Sequence, residues 1–250
     1  MMKRLAGCLM AAFLLTGLSA SLAAQEGKNI RTILIVKVKP ERRGDWRAAA
    51  KDFVAMKKKA GSDEYFSVWS SETGPDEYAL VWYSAKWSEL DEEEDPKTKG
   101  VEGEIASLLA RFDGATLSME TWVDEIQPDM VYGMDSALPK KVRTSRTVVV
   151  ADKMDVVLGL FRTALVPSMK KSGVATYGVA VARFGTAVNE VHTFASLNGW
   201  ADFDSPWGLE KSLGKDGYKA FLDKVRPNVV STQYDIWTFK PELSFLPEAK

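Results

Sequence analysis

One unit occurs twice in this chain, with the second copy about 113 residues after the first. Met56, Lys57 and Lys58 return as Met169, Lys170 and Lys171, and Glu77 and Trp87 return as Glu190 and Trp200. Ile30, Arg31 and Thr32 open an apolar run, as do Val142, Arg143 and Thr144, and Trp122 has a counterpart in Trp237. A period this long is a duplicated domain, not the turn of a solenoid. The fold must therefore be assembled from two copies of one supersecondary unit.

The first 23 residues stand outside the repeat and read as a secretory signal. Lys3 and Arg4 precede the apolar stretch Leu5 to Leu18, and Ser21 and Ala23 offer the small residues of a cleavage site. The stretch is short for a membrane span. Cleavage is expected after Ala23, with Ala24 as the second choice. Leu5 to Cys8 resembles a lipoprotein box but precedes most of the apolar stretch, so lipidation is not expected. Removal of the signal predicts a periplasmic or secreted protein without Cys8, its only cysteine. Such a chain has no disulfide, thiol nucleophile or thiolate metal ligand. Loss of Lys3 and Arg4 also moves the formal charge from −1 to −3, which leaves no basic field for nucleic acid or anionic lipid. No later stretch is apolar enough to span a membrane, so none is expected to hold the chain there after cleavage.

Each half predicts the order strand, helix, strand, strand, helix, strand. In the first half, β-branched Ile33 to Val38 is a strand ended by Pro40. Glu41 to Lys59 is a helix, with Trp46, Ala49, Ala50, Phe53 and Met56 on one face. Strands follow at Tyr65 to Ser70 and Tyr78 to Ala85, then a helix at Glu102 to Phe112 and a strand at Thr116 to Ile126. The second half predicts strands at Thr147 to Val150, Tyr177 to Phe184, Val191 to Leu197 and Thr232 to Phe239. Its helices are Met154 to Lys171, with an irregularity at Pro167, and Lys215 to Lys224. The expected organisation is a signal over 1–23, repeats over 28–127 and 142–240, a linker over 128–141 and a C-terminal tail over 241–250. Pro128, Gly133 and Pro139 mark the linker.

That order is the ferredoxin-like α+β arrangement, βαββαβ, with helices on one face of an antiparallel sheet. In the third strand Leu80 and Trp82 lie on one face, Val81 and Tyr83 on the other. A strand apolar on both faces is covered on both. The simplest cover is the other repeat's sheet, which would make an intramolecular pseudo-dimeric barrel. The duplication, the element order and the paired tryptophans, over roughly residues 28 to 240, resemble the dimeric α+β barrel superfamily. That group includes antibiotic-biosynthesis-type monooxygenases, NIPSNAP-like proteins and haem-handling relatives. The resemblance implies the fold, while functions within such folds vary widely.

Candidate functional residues are few. His192 is the only histidine, and Phe194 and Ser196 share its side of a strand. Facing a cavity, His192 would serve as a general base or haem ligand; the plainer reading is a buried histidine bonded to a neighbour. The resemblance implies a haem-ligating histidine on a helix, and this one falls on a strand. Tyr83 aligns with Ser196, so Tyr83, His192, Phe194 and Ser196 form the candidate ligand-binding set, with His192 and Tyr83 as candidates for proton transfer. Arg31 and Arg143, a matched pair, would clamp an anion or simply be solvated. Trp87/Trp200 and Trp122/Trp237 are expected to fill cores. Unmatched Trp207, beside Phe203 and Pro206, suits a pocket or lid peculiar to the second half. The run Glu89 to Asp95 lacks the spacing of a calcium loop and reads as a solvated segment. No metal site or cofactor is expected, and no nucleophile elbow, phosphate loop or dinucleotide fingerprint occurs.

These features predict an extracytoplasmic protein that binds a small apolar or aromatic molecule without catalysing a reaction, as a monomer or weak homo-oligomer. The first alternative is a cofactor-free, monooxygenase-like oxidoreductase. The second is a structural or interaction protein with a filled barrel.

Overall fold

The structure, a computed structural model, describes residues 29–91, 96–98, 100–134, 137–187 and 189–247. The signal expected over 1–23, with Cys8, and Glu92 to Asp95 of the acidic run lie outside the described residues. The described residues form two compact units: those up to Thr121 together with those from Lys240 onward, and Trp122–Phe239. The chain is α+β, and every strand pair within either unit is antiparallel. No helix among the described residues is long and apolar enough to cross a membrane.

The first unit contains β1 (Ile30–Val38), α1 (Arg43–Ala60), β2 (Ser67–Ser71), β3 (Glu77–Ser84), α2 (Glu102–Ala115) and the start of β4 (Thr116–Tyr132). β3 lies between β1 and β2. The predicted apolar stripe of α1 is buried: Trp46, Ala49, Ala50, Phe53 and Met56 all face the core. Gly61 ends that helix at φ 66°, a left-handed conformation that glycine adopts without steric cost. Trp46 stacks on Tyr78 with centroids 4.2 Å apart and meets Phe112 edge-on at 5.7 Å. Leu34, Val36 and Val38 complete the core below the helices. Within the segment expected as a tail, Leu243 and Phe245 pack against the first unit. Phe245 bridges Phe66, and Leu243 is fully buried in the same core. Both are apolar, and burying them explains why the chain returns there.

The second unit contains the rest of β4, then β5 (Lys141–Val149), α3 (Met154–Leu160), a π-helical turn (Phe161–Leu165), α4 (Val166–Lys171), β6 (Tyr177–Phe184), β7 (Glu190–Leu197), α5 (Leu209–Val225) and β8 (Val229–Phe239). Its strand order is β4–β6–β7–β5–β8. The segment expected as a linker from 128 is strand as far as Tyr132. Val131 and Tyr132 pair with Gly178 and Tyr177 after a register shift beyond Ile126. That irregularity accommodates Pro128, which has no N–H to donate to a ladder. The irregularity expected at Pro167 is the π turn just before it, where a missing N–H is tolerated most easily. α5 starts earlier than its periodicity suggests and breaks at Gly214 (φ 71°, ψ 172°).

Candidate ligand-binding site

Strand alternation gives the second unit's sheet two different faces. Arg143, Ser145, Thr147 and Val149 of β5 point to one face, together with Val191, Thr193 and Ala195 of β7. Val149 and Val191 pack there in the core formed with Val157, Phe161 and Phe221 of the helices. His192, Phe194 and Ser196 point to the opposite face.

A cavity of about 810 Å³ occupies the helix-covered face. Its floor is Ser145, Thr147, Thr193 and Thr232, its wall includes Phe161, Leu165, Phe221 and Val225, and Arg143, Trp207 and Tyr234 line one end. Along β8 the lining from Val229 to Tyr234 spans about 17 Å at ~3.3 Å per residue. The volume suits a small molecule. The π turn contributes Phe161 and Leu165, a placement typical of such turns at sites that bind ligands.

The floor hydroxyls bond to one another, Ser145 Oγ to Thr193 Oγ1 at 2.6 Å and Thr147 Oγ1 to Thr232 Oγ1 at 3.3 Å. Tyr177 is buried beside them and hydrogen-bonds Thr193. Burial pushes its phenol well above the usual range and outweighs that bond, so the hydroxyl stays protonated. Tyr132 stacks on Tyr177 at 6.2 Å, and burial pushes its own phenol up to about 12. The guanidinium of Arg143 lies 4.1 Å from the Tyr234 ring centroid and 5.0 Å from that of Trp207. Phe203 meets Trp207 and Trp200 meets Phe203, each at 6.0 Å, so an aromatic row runs from exposed Trp200 to the cavity.

The cavity follows from how the second copy departs from the first. Lys37 pairs with Glu77 across β1 and β3, and Val148 pairs with Glu190 across β5 and β7. With Glu77 and Glu190 equivalent, Leu34–Leu80 corresponds to Ser145–Thr193, Thr32–Trp82 to Arg143–Ala195, and Val36–Tyr78 to Thr147–Val191. Phe112 corresponds to Val225 at the same repeat distance. Large apolar side chains in the first copy thus give way to small hydroxyl or aliphatic ones. This register also corrects the pairing of Arg31 with Arg143. Arg31 points to the face of its sheet away from the helices, whereas Arg143 points toward them and takes the place of Thr32. The short polar run Arg143 to Arg146 hid the strand and therefore its register.

None of Tyr83, His192, Phe194 and Ser196 lines this cavity. Tyr83 lies on β3 of the first unit, opposite Arg31. Ser196 Oγ accepts the backbone N–H of Thr176, and the Phe194 ring lies over Gly178, where an added Cβ would come within 2.1 Å of it. His192 is buried between two carboxylates, Nδ1 2.8 Å from Asp124 Oδ2 and Nε2 3.2 Å from Glu190 Oε1. Both ring nitrogens are engaged, which leaves neither to bind haem iron or a substrate proton in this arrangement. Burial pushes Glu190 up, but the His192 hydrogen bond and the charges of His192 and Arg146 outweigh it and hold the carboxyl below its ordinary value. Arg146 lies over Trp122 at 4.5 Å and donates to Gln233 at 3.3 Å. No group of three acidic, cysteine or histidine residues able to hold a metal occurs among the described residues.

The paired tryptophans behave unequally. Trp237 is buried and its indole N–H donates to Thr144 Oγ1 at 3.2 Å. Trp87 and Trp200, expected in cores, are 41% and 52% exposed. Each opens a short 3-10 turn just after a strand, where the sheet's alternation no longer directs the side chain inward. Trp207, with Phe203 and Pro206, lines the cavity, as its lack of a repeat partner suggested.

No protein-family model matches the sequence, and no curated protein matches it. Solved structures do match its fold. A "putative monooxygenase" from Fusobacterium nucleatum subsp. nucleatum aligns with a TM-score of 0.59 at 10% identity, over 85% of this chain and 93% of its own. A second, from Lactobacillus acidophilus, gives 0.57 at 10% identity, over 88% and 100%. An anthrone oxidase-like protein gives 0.56 at 14% identity, over 88% and 94%. At these identities the likeness shows the fold alone, the duplicated ferredoxin-like α+β arrangement.

Proposed function

We propose that this chain is an exported protein that binds a small, partly apolar molecule between the helices and the sheet of its second unit. The cavity carries the proposal. It combines an apolar helical wall, a floor of mutually satisfied hydroxyls and an aromatic end, and it lies in the copy whose large core residues have been replaced by small ones. Export is supported by the Lys3–Arg4 segment, the apolar stretch after it and the small residues at Ser21 and Ala23. Tyr83, His192, Phe194 and Ser196 are assigned to the folded framework, His192 as the centre of a buried charge network. The chain is proposed to act as a monomer or weak homo-oligomer.

A second reading is cofactor-free monooxygenation, favoured by the fold shared with two putative monooxygenases and an anthrone oxidase-like protein. In that reading an electron-rich substrate would supply the electrons that reduce dioxygen. Arg143 would steady an oxyanion on the substrate, and the hydroxyl floor would orient it. A filled, purely structural second unit is disfavoured by the cavity.

Native mass spectrometry of protein purified from the periplasm or culture medium tests the first reading. A bound small molecule lost on Thr193→Leu supports it. A ligand-free protein whose tryptophan emission is unaffected by apolar aromatic probes overturns it. Oxygen uptake with hydroxylated polycyclic substrates, abolished by Arg143→Met, would favour the enzyme instead.

A further inference from the structure

We infer that the molecule held in the second unit is an organic anion, with an apolar body and one carboxylate- or phenolate-like group docked on Arg143. This rests on the cavity being a binding site. The rings of Tyr234 and Trp207 engage the Arg143 guanidinium at 4.1 and 5.0 Å. A cation–ring contact of this kind is not a hydrogen bond. It does not use the N–H groups, which radiate in the guanidinium plane. No carboxylate among the described residues pairs with Arg143, although it lines the cavity. A rigidly held cation with idle donors is suited to an anion brought from outside.

The other linings agree. Ser145, Thr193 and Tyr177 bond among themselves, so the floor adds no competing charge. Of the acidic residues in the lining, Asp204 is exposed and neither it nor Glu210 pairs with Arg143. Away from Arg143 the wall becomes apolar at Phe221, Leu222 and Val225, with the exposed Arg226 beyond them at the rim, so the apolar stretch between gives the ligand a direction. Charge faces the Trp207 end, and the apolar body extends toward the start of β8. The first unit has Thr32 in the place of Arg143, so the anion site belongs to the second copy alone.

Calorimetric titration with 2-naphthoate and with 2-naphthylmethanol, which shares the ring but is neutral, tests this. The acid is expected to bind wild-type protein roughly tenfold or more tightly than the alcohol. Arg143→Met is expected to bring the two within about twofold while the alcohol keeps its affinity. Should Arg143→Met fail to fold, the wild-type pair is compared across ionic strength, and only the acid should weaken with salt. Equal binding of acid and alcohol by wild-type protein overturns the anion and leaves the cavity standing. Binding of neither probe overturns both.

Discussion

The two units share an element order and differ in what lies between helices and sheet. In the first, Leu34, Leu80, Trp82 and Tyr78 rise from the strands to meet Trp46 and Phe112. In the second, Ser145, Thr193, Ala195 and Val191 stand at the equivalent places and an 810 Å³ cavity lies above them. A duplicated scaffold need not hollow out both copies. One can remain a close-packed core while the other exchanges bulk for a site, because each has its own helices and its own apolar cluster. The proposed site therefore lies where the repeat fails, not where it holds.

Five variants test that contrast. The largest effect is expected from Trp46→Ala, since Trp46 is 1% exposed and ring-stacked. Its loss should cost about 3–5 kcal/mol in urea unfolding, with ligand binding by the folded fraction intact. His192→Ala leaves Asp124 and Glu190 buried without the group between them, and about 3 kcal/mol should be lost. The pH dependence follows from Glu190, whose folded carboxyl titrates below its ordinary value. A depressed carboxyl stabilises the fold above the unfolded glutamate pKa of about 4.3 and loses that contribution as pH falls through the folded value. Acid unfolding should show this loss, and Glu190→Gln should flatten it. Recreating the first copy's leucine pair with Ser145→Leu and Thr193→Leu together should change stability by under about 1.5 kcal/mol and abolish binding. In a filled core the same change would overpack and cost up to about 3 kcal/mol. Trp200→Ala should move stability by less than about 0.5 kcal/mol, because the side chain is half exposed.

Much of the fold is legible in the sequence. All five residues of the predicted α1 stripe are buried, though Val54 and Lys57 are buried with them, and the run Tyr177 to Phe184 is β6 to its ends. The site is far less legible. His192 stands out by being unique, but alternation assigns it to a face without saying which face adjoins empty space. β5 alternates Arg143, Ser145 and Thr147 with Val142, Thr144 and Arg146, so neither side looks more buried than the other. The Arg31–Arg143 match is one residue out of register, an error that moves a side chain to the other face of a sheet. Trp207 was identifiable, since a large aromatic in one copy only is what a half-specific pocket requires. The cavity itself is made of absent volume, and small residues such as Ala195 and Thr193 carry no signal until the larger residues of the first copy are set beside them in register.

A crystal structure of the protein with 2-naphthoate tests the central claim most directly. The account predicts naphthoate density between α5 and the β5–β7 strands, its carboxylate on Arg143, with the first unit's core closed around Trp46. A second unit filled by its own side chains, or naphthoate seated in the first unit instead, would contradict it.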